Sequence, residues 1–400
     1  MASKPISYIA IYGKYVIIDK NNVDIVLRIL YNSKSNRLNY EMQVITLPTI
    51  TIKDIAREAG VSTATVSYVI NGTRNVIPEK RQRVLDVISK TNYQPNRVAK
   101  SLRMKKTNTV GVLVEDILSF PAARIINGIS EYFEKTDYNI LLNDLRMMDS
   151  LFNKYDQVDG QKDKINQALT FLNFGAKVDA VIYIGMFDRD ISGIIQDMKK
   201  PLVIAYSTSS DDYAYSVTYE NEDASAKIAE YVIESGHKDI AVITGLAHTA
   251  PAQLRLKGIT RAFKEAGLTL DNDLIKYGDW EPATGYSCMK ELLEQEHGKL
   301  PTAVIAMNDL MAIGAIDAIR EANLRVPEDI SVVGFDNREV SDFVFPKLTT
   351  MDIDLKTIGF TAAQVVTKCL RGDTETPDKN TIMVPSKMVK RDTVLVRASK

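Results

Sequence analysis

The 400 residues and 44.7 kDa are enough for two or three domains with filled cores, and a chain 45% hydrophobic and 25% charged has an ordinary globular composition. Disorder throughout and a membrane channel are excluded. Cys288 and Cys369 are too few and too far apart for a disulfide framework or a thiolate zinc site, so a reducing cytoplasm is the expected setting.

The net charge of -1 conceals an opposed distribution: residues 1–50 carry +3, residues 51–106 carry +8 and residues 107–400 carry -12. A compact positive module on a large acidic body points to nucleic acid as the first partner to test, although a charged stretch is equally read as a solvated surface or tether.

In residues 1–50, the run Tyr8–Leu30 is interrupted by Lys14, Asp19, Lys20, Asp24 and Arg28, which excludes a membrane span, and no secretory signal pattern is present. Tyr15–Ile18 reads as a short strand, Val23–Leu30 as a helix and Asn32–Asn39 as loop. The whole extension is otherwise read as unstructured, or as an artefact of the start site with the natural chain beginning at a position such as Met42.

From Ile52 the pattern sharpens. Ile52, Ile55, Ala56 and Ala59 recur at helical spacing behind a Thr51 cap, and Gly60 ends that helix. Ser62 caps a second helix carrying Thr65, Val66, Val69 and Ile70. Asn71 and Gly72 close it, and Pro78 begins a third helix with Val84, Leu85 and Ile88 as the buried stripe. Helix, tight turn and helix suit a major groove roughly 12 Å wide, with Thr63, Ala64, Ser67 and Tyr68 placed to read bases. Lys53, Arg57, Arg74, Lys80 and Arg81 are placed for phosphates. The bland alternative is a small bundle with an incidental basic face.

Asn96 can cap a short fourth helix containing Val98, Ala99, Leu102 and Met104. Beside Arg97, Lys100 and Arg103, Leu102 could wedge between base steps in a minor groove if a twin helix shared the cost; otherwise the segment is a plain linker.

After Thr109 the chain alternates buried strands with amphipathic helices. Strands are expected at Val110–Val114, Ile140–Leu142, Ala180–Ile184 and Leu202–Ala205, with helices at Ala123–Lys135, Lys164–Phe174 and from Ile191. A second set runs through a helix at Ala224–Ser235, strand Ile240–Ile243, helix Gln253–Ala266, strand Ile275–Tyr277, helix Tyr286–Glu296, strand Ala303–Met307, helix Leu310–Glu321 and strand Ile330–Phe335. Two parallel-sheet lobes with a ligand cleft at their strand ends follow. No P-loop, dinucleotide fingerprint or serine elbow is present, and His237, His248 and His297 lack metal-ligand spacing. No catalytic site, metal or cofactor is assigned, and the chain is not read as an enzyme.

The stretch TIKDIAREAGVSTATVSYVINGTRNVIPEKRQRVLDVI, followed in order by NYQPNRVAKSL, TVGVLV, SGHKDIAVITG, QLRLKGITRAF, AMNDLMAIGAI, SVVGFDN and PKLTTMDID, resembles the LacI/GalR family of bacterial transcription regulators from about Ile52 to Lys400. The resemblance implies an all-α helix-turn-helix headpiece (51–95) joined by a hinge helix and linker (96–107) to a two-lobed α/β periplasmic-binding-protein-like core (108–400). It further implies a cytoplasmic homodimer on a near-palindromic double-stranded operator, controlled by a small effector, with no membrane partner. Thr63 and Ala64 fall at the opening specificity positions of the recognition helix, Tyr68 falls where many relatives carry an Arg, and Leu102 matches the intercalating hinge leucine.

For the effector, Arg255, Asn308 and Asp336 match the family's polar pocket residues, Trp280 matches an aromatic used for sugar stacking, and Phe120 lies in a pocket loop. Tyr206 and Asp211 are further candidates. Asp309 alternatively caps a helix, Asp336 alternatively serves a turn, and Arg255 alternatively bridges the lobes. A carbohydrate is favoured over a purine. Dimer seams are expected on Ile125, Ile126, Ile129 and Phe133, or on Ala312, Ile313 and Ile316, with packing inside one chain as the alternative for each. No leucine heptad follows Val384, which favours a dimer over a tetramer. The rival reading is a solute-binding protein without gene control.

Overall fold

The computed structural model describes residues 8–12, 15–19, 24–31, 38–41, 50–72, 74–91, 93, 106–147, 158–173, 178–295, 300–373 and 380–397. It comprises two compact units, Met1–Ala99 and Lys100–Lys400.

In the first unit, β1 (Tyr8–Tyr12), β2 (Tyr15–Asp19), β3 (Asp24–Tyr31) and β4 (Leu38–Glu41) form an antiparallel meander in that order. The expected strand at Tyr15–Ile18 is present as β2, but the helix expected over Val23–Leu30 is strand β3. Two causes override helical periodicity there: Ile25, Val26 and Ile29 are β-branched, and both edges of β3 are paired, with Val16 opposite Leu27 and Tyr40 opposite Ile29. The loop expected to reach Asn39 gives way to β4 at Leu38.

The rest of the unit is three helices, α1 (Ile52–Ala59), α2 (Thr63–Asn71) and α3 (Pro78–Thr91). At the start of α1 the Asp54 carboxylate accepts both the Thr51 backbone N–H (3.0 Å) and its hydroxyl (2.6 Å), so Thr51 and Asp54 together form a capping box. Gly60 takes φ +61°, a left-handed conformation that lets Val61 N–H reach back to Ala56 O at 3.0 Å and closes α1. Ser62 Oγ accepts from Thr65 N–H at 3.1 Å and starts α2 after a turn of minimal length. Ile55, Ala56, Ala59, Val66, Val69, Val84 and Val87 form one core. Leu85, expected in that stripe, is exposed; Val87 is buried instead, three residues after Val84 on the same face.

The second unit holds two parallel sheets. β5 (Thr109–Val114), β6 (Asn139–Asp144), β7 (Ala180–Ile184), β8 (Leu202–Ala205), β9 (Ala214–Tyr219) and the late strand β15 (Thr381–Val384) make the first, in the order β15-β9-β8-β7-β5-β6. β10 (Ile240–Thr244), β11 (Ile275–Tyr277), β12 (Ala303–Ala306) and β13 (Ser331–Val333) make the second, in the order β11-β10-β12-β13. β14 (Thr350–Asp352) and β16 (Lys387–Val389) pair antiparallel. The helices are α4 (Ala122–Phe133), α5 (Val158–Asn173), α6 (Asn221–Glu234), α7 (Ala250–Glu265), α8 (Pro282–Leu293), α9 (Asp309–Glu321), α10 (Val340–Phe343) and α11 (Leu355–Arg371).

The strands read from the sequence are present, but the chain does not finish one lobe before beginning the next. It crosses after β9, returns after β14 to lay α11 on α4 and the first sheet, and crosses again after β15. β9 and α11 were not anticipated. The helix expected from Ile191 is replaced by turns: Asp190 Oδ1 accepts the Ser192 N–H at 2.9 Å and Gly193 sits at φ +71°. Of the seam candidates, Ile125, Ile129, Phe133, Ala312 and Ile316 are buried within the single chain, so they pack the core and are unavailable to a second copy. Packing of α4 on α11 requires a glycine: a Cβ on Gly359 would lie 2.0 Å from Ile125 O. Gly359→Ala is expected to destabilise the second unit by about 1–3 kcal/mol, read as a lower urea midpoint, because two backbones would have to separate.

Candidate functional site

In the second unit the carboxyl ends of both sheets converge on one buried cationic side chain. Arg255, on α7, is 3% exposed. Its Nε donates to Asn221 Oδ1 at 2.8 Å and its Nη2 to the Tyr219 hydroxyl at 2.8 Å, both at the first crossing between lobes. Nη1 donates to Met307 O at the end of β12, and Nη2 lies 3.5 Å from Asp336 Oδ1 just past β13. Its guanidinium carbon also sits 3.7 Å from the centre of the Phe335 ring and 5.5 Å from that of Trp280. Burial works against the charge, but Tyr219, Asp336 and Tyr206 outweigh it and hold the guanidinium firmly protonated.

The other candidates form a chain of contacts around this centre. Asp336, at φ +103°, is ion-paired with Arg338 at 3.6 Å from Nε, and the Arg338 guanidinium covers the Phe120 ring at 4.1 Å. Arg124 in α4 donates to Asn337 O at 3.0 Å, a second tie from the first lobe to the same loop. Asn308 uses both ends of its amide internally: Oδ1 accepts Met311 N–H at 2.8 Å and caps α9, while Nδ2 donates to Trp280 O at 2.8 Å. It braces Trp280, whose ring lies flush against Gly245, where a Cβ would come within 2.0 Å of the indole. The four positions matched by resemblance and the loop residue Phe120 are therefore contiguous.

Tyr206 belongs to the same cluster, at φ +73° and stacked 5.8 Å from Tyr219. Asp211 does not. It accepts from Gly193 N–H and Ser209 Oγ, each at 2.9 Å, and shapes a turn. Sequence reasoning missed Tyr219, Asn221 and Asp188. Asn221 Nδ2 donates to Asp188 Oδ2 while its Oδ1 accepts from Arg255, so one amide links a first-lobe carboxyl to the second-lobe arginine. For Asp188 the sequence signal was its position shortly after the buried strand Ala180–Ile184, whereas Tyr219 and Asn221 lie at and just beyond β9, which the sequence reading did not anticipate.

Two buried carboxyls are strongly perturbed. Burial pushes Asp188 up to about 7, opposed by Arg255 and the Asn221 hydrogen bond. Burial, reinforced by the charge of Asp336, pushes Asp309 up to about 8, against hydrogen bonds from the Thr350 hydroxyl and the Arg338 N–H.

In the first unit Thr63 and Ala64 are exposed at the start of α2, and Ser67 and Tyr68 are partly covered one turn on. Arg74, beyond Gly72, lies with its guanidinium 5.0 Å from the centre of the Tyr68 ring. Lys53, Lys80 and Arg81 are exposed, whereas Arg57 is paired with Asp54 at 2.7 Å. Asn96 and Leu102 lie outside the described residues.

This pairing of helix-turn-helix and two-lobed binding core agrees with the comparisons. The profile for bacterial regulatory proteins of the lacI family matches residues 51–96, and that for a periplasmic binding protein-like domain matches residues 229–394. Catabolite control protein A of Priestia megaterium is 35% identical over 343 residues, covering 85% of this chain and 97% of that one. The chain belongs to the LacI family. The HTH-type transcriptional repressor PurR of Histophilus somni (strain 2336) is 36% identical over 80% of this chain and 91% of its own length. Among solved structures, the lac repressor dimer bound to operator and an anti-inducer matches with TM-score 0.70 at 27% identity, covering 86% of this chain and 99% of that one. The transcriptional regulator CelR in complex with cellobiose matches with TM-score 0.58 at 26% identity, covering the same shares.

Because the folded protein holds the Asp309 and Asp188 protons more tightly than the unfolded chain does, their contribution to stability is full below about 4 and is lost as pH rises toward 7 to 8. Asp309→Asn keeps a carbonyl for Arg338 N–H and an amide for Thr350. It should flatten the decline in unfolding free energy between pH 5 and 8, measured by urea unfolding across that range; an unchanged slope would show that Asp309 does not hold its proton.

Proposed function

We propose that this LacI-family repressor binds a near-palindromic operator as a homodimer in the cytoplasm, and that a small sugar occupying the cleft around Arg255 sets its operator affinity. The observation that carries the reading is the coexistence, in one chain, of an exposed recognition helix in a +8 segment with a core in which the strand ends of two sheets converge on a buried arginine. A solute-binding protein without gene control has no use for the first of these, and phosphate cradles or a serine elbow that would favour an enzyme are missing from the sequence.

The domain plan follows: a headpiece over residues 51–95, a hinge at 96–107 and an effector core over 108–400. A sugar suits the cleft because Arg255, Asp336 and Asp188 offer directional partners for hydroxyls, while Trp280 and Phe120 present apolar faces. The cellobiose bound to CelR lends support. The contact most easily surrendered to a ligand is the 3.5 Å approach of Arg255 to Asp336, since the other donors of that guanidinium sit at 2.8 Å or closer. Exchange of that contact for a hydroxyl alters the packing of both lobes at the crossings and shifts the balance between two arrangements of the dimer.

With five of the seven seam candidates buried and Ile126 and Ile313 partly exposed, the more open apolar surface includes Leu118, Phe343 and Phe345, which are 79%, 75% and 80% exposed. Replacing both phenylalanines by Asp should shift the protein from dimer to monomer in sedimentation and weaken operator binding at least tenfold, since each monomer would grip one half-site; a variant that stays dimeric removes this face from the interface.

Selection from random duplexes, followed by titration of the selected site with cellobiose, galactosides, glucosides and purines, tests the reading as a whole. A selected palindrome whose affinity changes with a sugar supports it. A response to purines alone would replace the sugar, and failure to select any duplex would remove the regulator. Arg255→Lys, which keeps a charge beside Asp336 but loses the planar fork, should abolish the effector response with operator affinity kept within a few-fold.

A further inference from the structure

The recognition helix carries no arginine or lysine: α2 reads Thr63-Ala64-Thr65-Val66-Ser67-Tyr68-Val69-Ile70-Asn71. Base discrimination in a major groove depends most strongly on planar donor forks that meet guanine O6 and N7 together, and short hydroxyl side chains supply none. A fork that touches α2 comes from outside the helix. Gly72, at φ +64°, turns the chain at the end of α2, and the Arg74 guanidinium lies over the Tyr68 ring with 5.0 Å between guanidinium carbon and ring centre.

Arg74 shares its exposure with Lys53, Lys80, Arg81 and Arg83, and its stacking on a ring of α2 is what distinguishes it. It is exposed and forms no ion pair with a described residue, whereas Arg57 is held by Asp54 at 2.7 Å and Lys90 by Glu58 at 3.1 Å. Its stacking partner is on α2 itself, one turn beyond Ala64 and on the same helix face at i, i+4 spacing. Stacking on a ring also restrains an otherwise mobile side chain without using any of its five N–H donors. A cation serving only as a phosphate contact would need no such platform.

The geometry points to Tyr68 and Arg74 acting as one base-reading unit, in which the Tyr68 ring holds the Arg74 fork toward the groove to recognise a guanine in each operator half-site. In this arrangement Tyr68 works mainly as a platform, its hydroxyl being dispensable, and Arg74 determines specificity rather than merely contributing charge. The inference rests on the regulator reading above and deepens its DNA side.

The test is selection of random duplex DNA by the full-length protein, followed by affinity measurements at fixed salt, for the natural sequence and for Arg74→Lys, Tyr68→Phe and Tyr68→Ala. Arg74→Lys retains the charge and loses the fork. It is expected to lose roughly tenfold or more of the preference for guanine at one symmetry-related pair of positions, with preferences elsewhere and binding to nonspecific DNA preserved. Tyr68→Phe should keep that preference, and Tyr68→Ala should lose it at the same positions as Arg74→Lys. Each side chain is at the surface of α2 or beyond it, and an unchanged helical circular dichroism melt confirms that the headpiece is folded in each variant.

A guanine preference that survives Arg74→Lys would reduce Arg74 to a phosphate contact and overturn the unit. One that survives Tyr68→Ala would overturn the platform role. Loss of the preference in Tyr68→Phe would do the same, by placing the reading in the hydroxyl. Failure of the natural sequence to select any duplex would overturn the regulator reading itself, an outcome distinct from a natural preference that the variants share.

Discussion

Arg255 cannot be buried without hydrogen-bond partners for its nitrogens and a nearby negative charge, because an unpaired guanidinium in a low-dielectric interior carries a penalty of several kcal/mol. The second unit meets this demand with groups drawn from separate places: Tyr219 and Asn221 at the first crossing, Met307 O after β12 and Asp336 after β13. Satisfying one side chain thus fixes how two sheets present their strand ends to each other. The surrounding features, from the strained backbone at Tyr206, Trp280 and Asp336 to the indole pressed on Gly245, are arranged around it.

Such a centre is a sensible place to couple a ligand to conformation. Each of its nitrogens already has a partner, so a newcomer competes with existing contacts, and each partner belongs to an element whose position matters elsewhere. Burial raises the carboxyls of Asp188 to about 7 and of Asp309 to about 8. These let the pocket include acidic side chains while limiting repulsion around Asp336. The first unit follows the opposite strategy. Its core is small and made mainly of Val, Ala and Ile, and its polar side chains stay at the surface, where phosphates and base edges can be met.

Much of this was legible in advance. The three headpiece helices follow from capping residues, glycine stops and apolar spacing within short segments, and the buried strands at Val110–Val114, Ala180–Ile184 and Ile240–Ile243 follow from continuous apolar runs. The residues singled out around Arg255 also lie in contact with one another. Local signals failed where partners lay far along the chain. Val23–Leu30 has a plausible helical pattern and becomes strand β3 because β2 and β4 pair with it. Ile125 and Phe133 look like an exposed apolar seam until α11, more than two hundred residues later, covers them.

The sequence by itself determined the charge-separated plan, the helix-turn-helix, the alternating α/β core and the family, since these rest on composition, short-range periodicity and ordered motifs. Tertiary structure alone decided that α11 and β15 return to the first lobe, that Asn221 joins Asp188 to Arg255, that Asn308 braces an indole and that Arg74 lies on Tyr68. The reason is physical: propensity and capping act within a few residues, whereas burial of a charge or stacking on a ring depends on which distant segments the completed fold brings within a few ångströms.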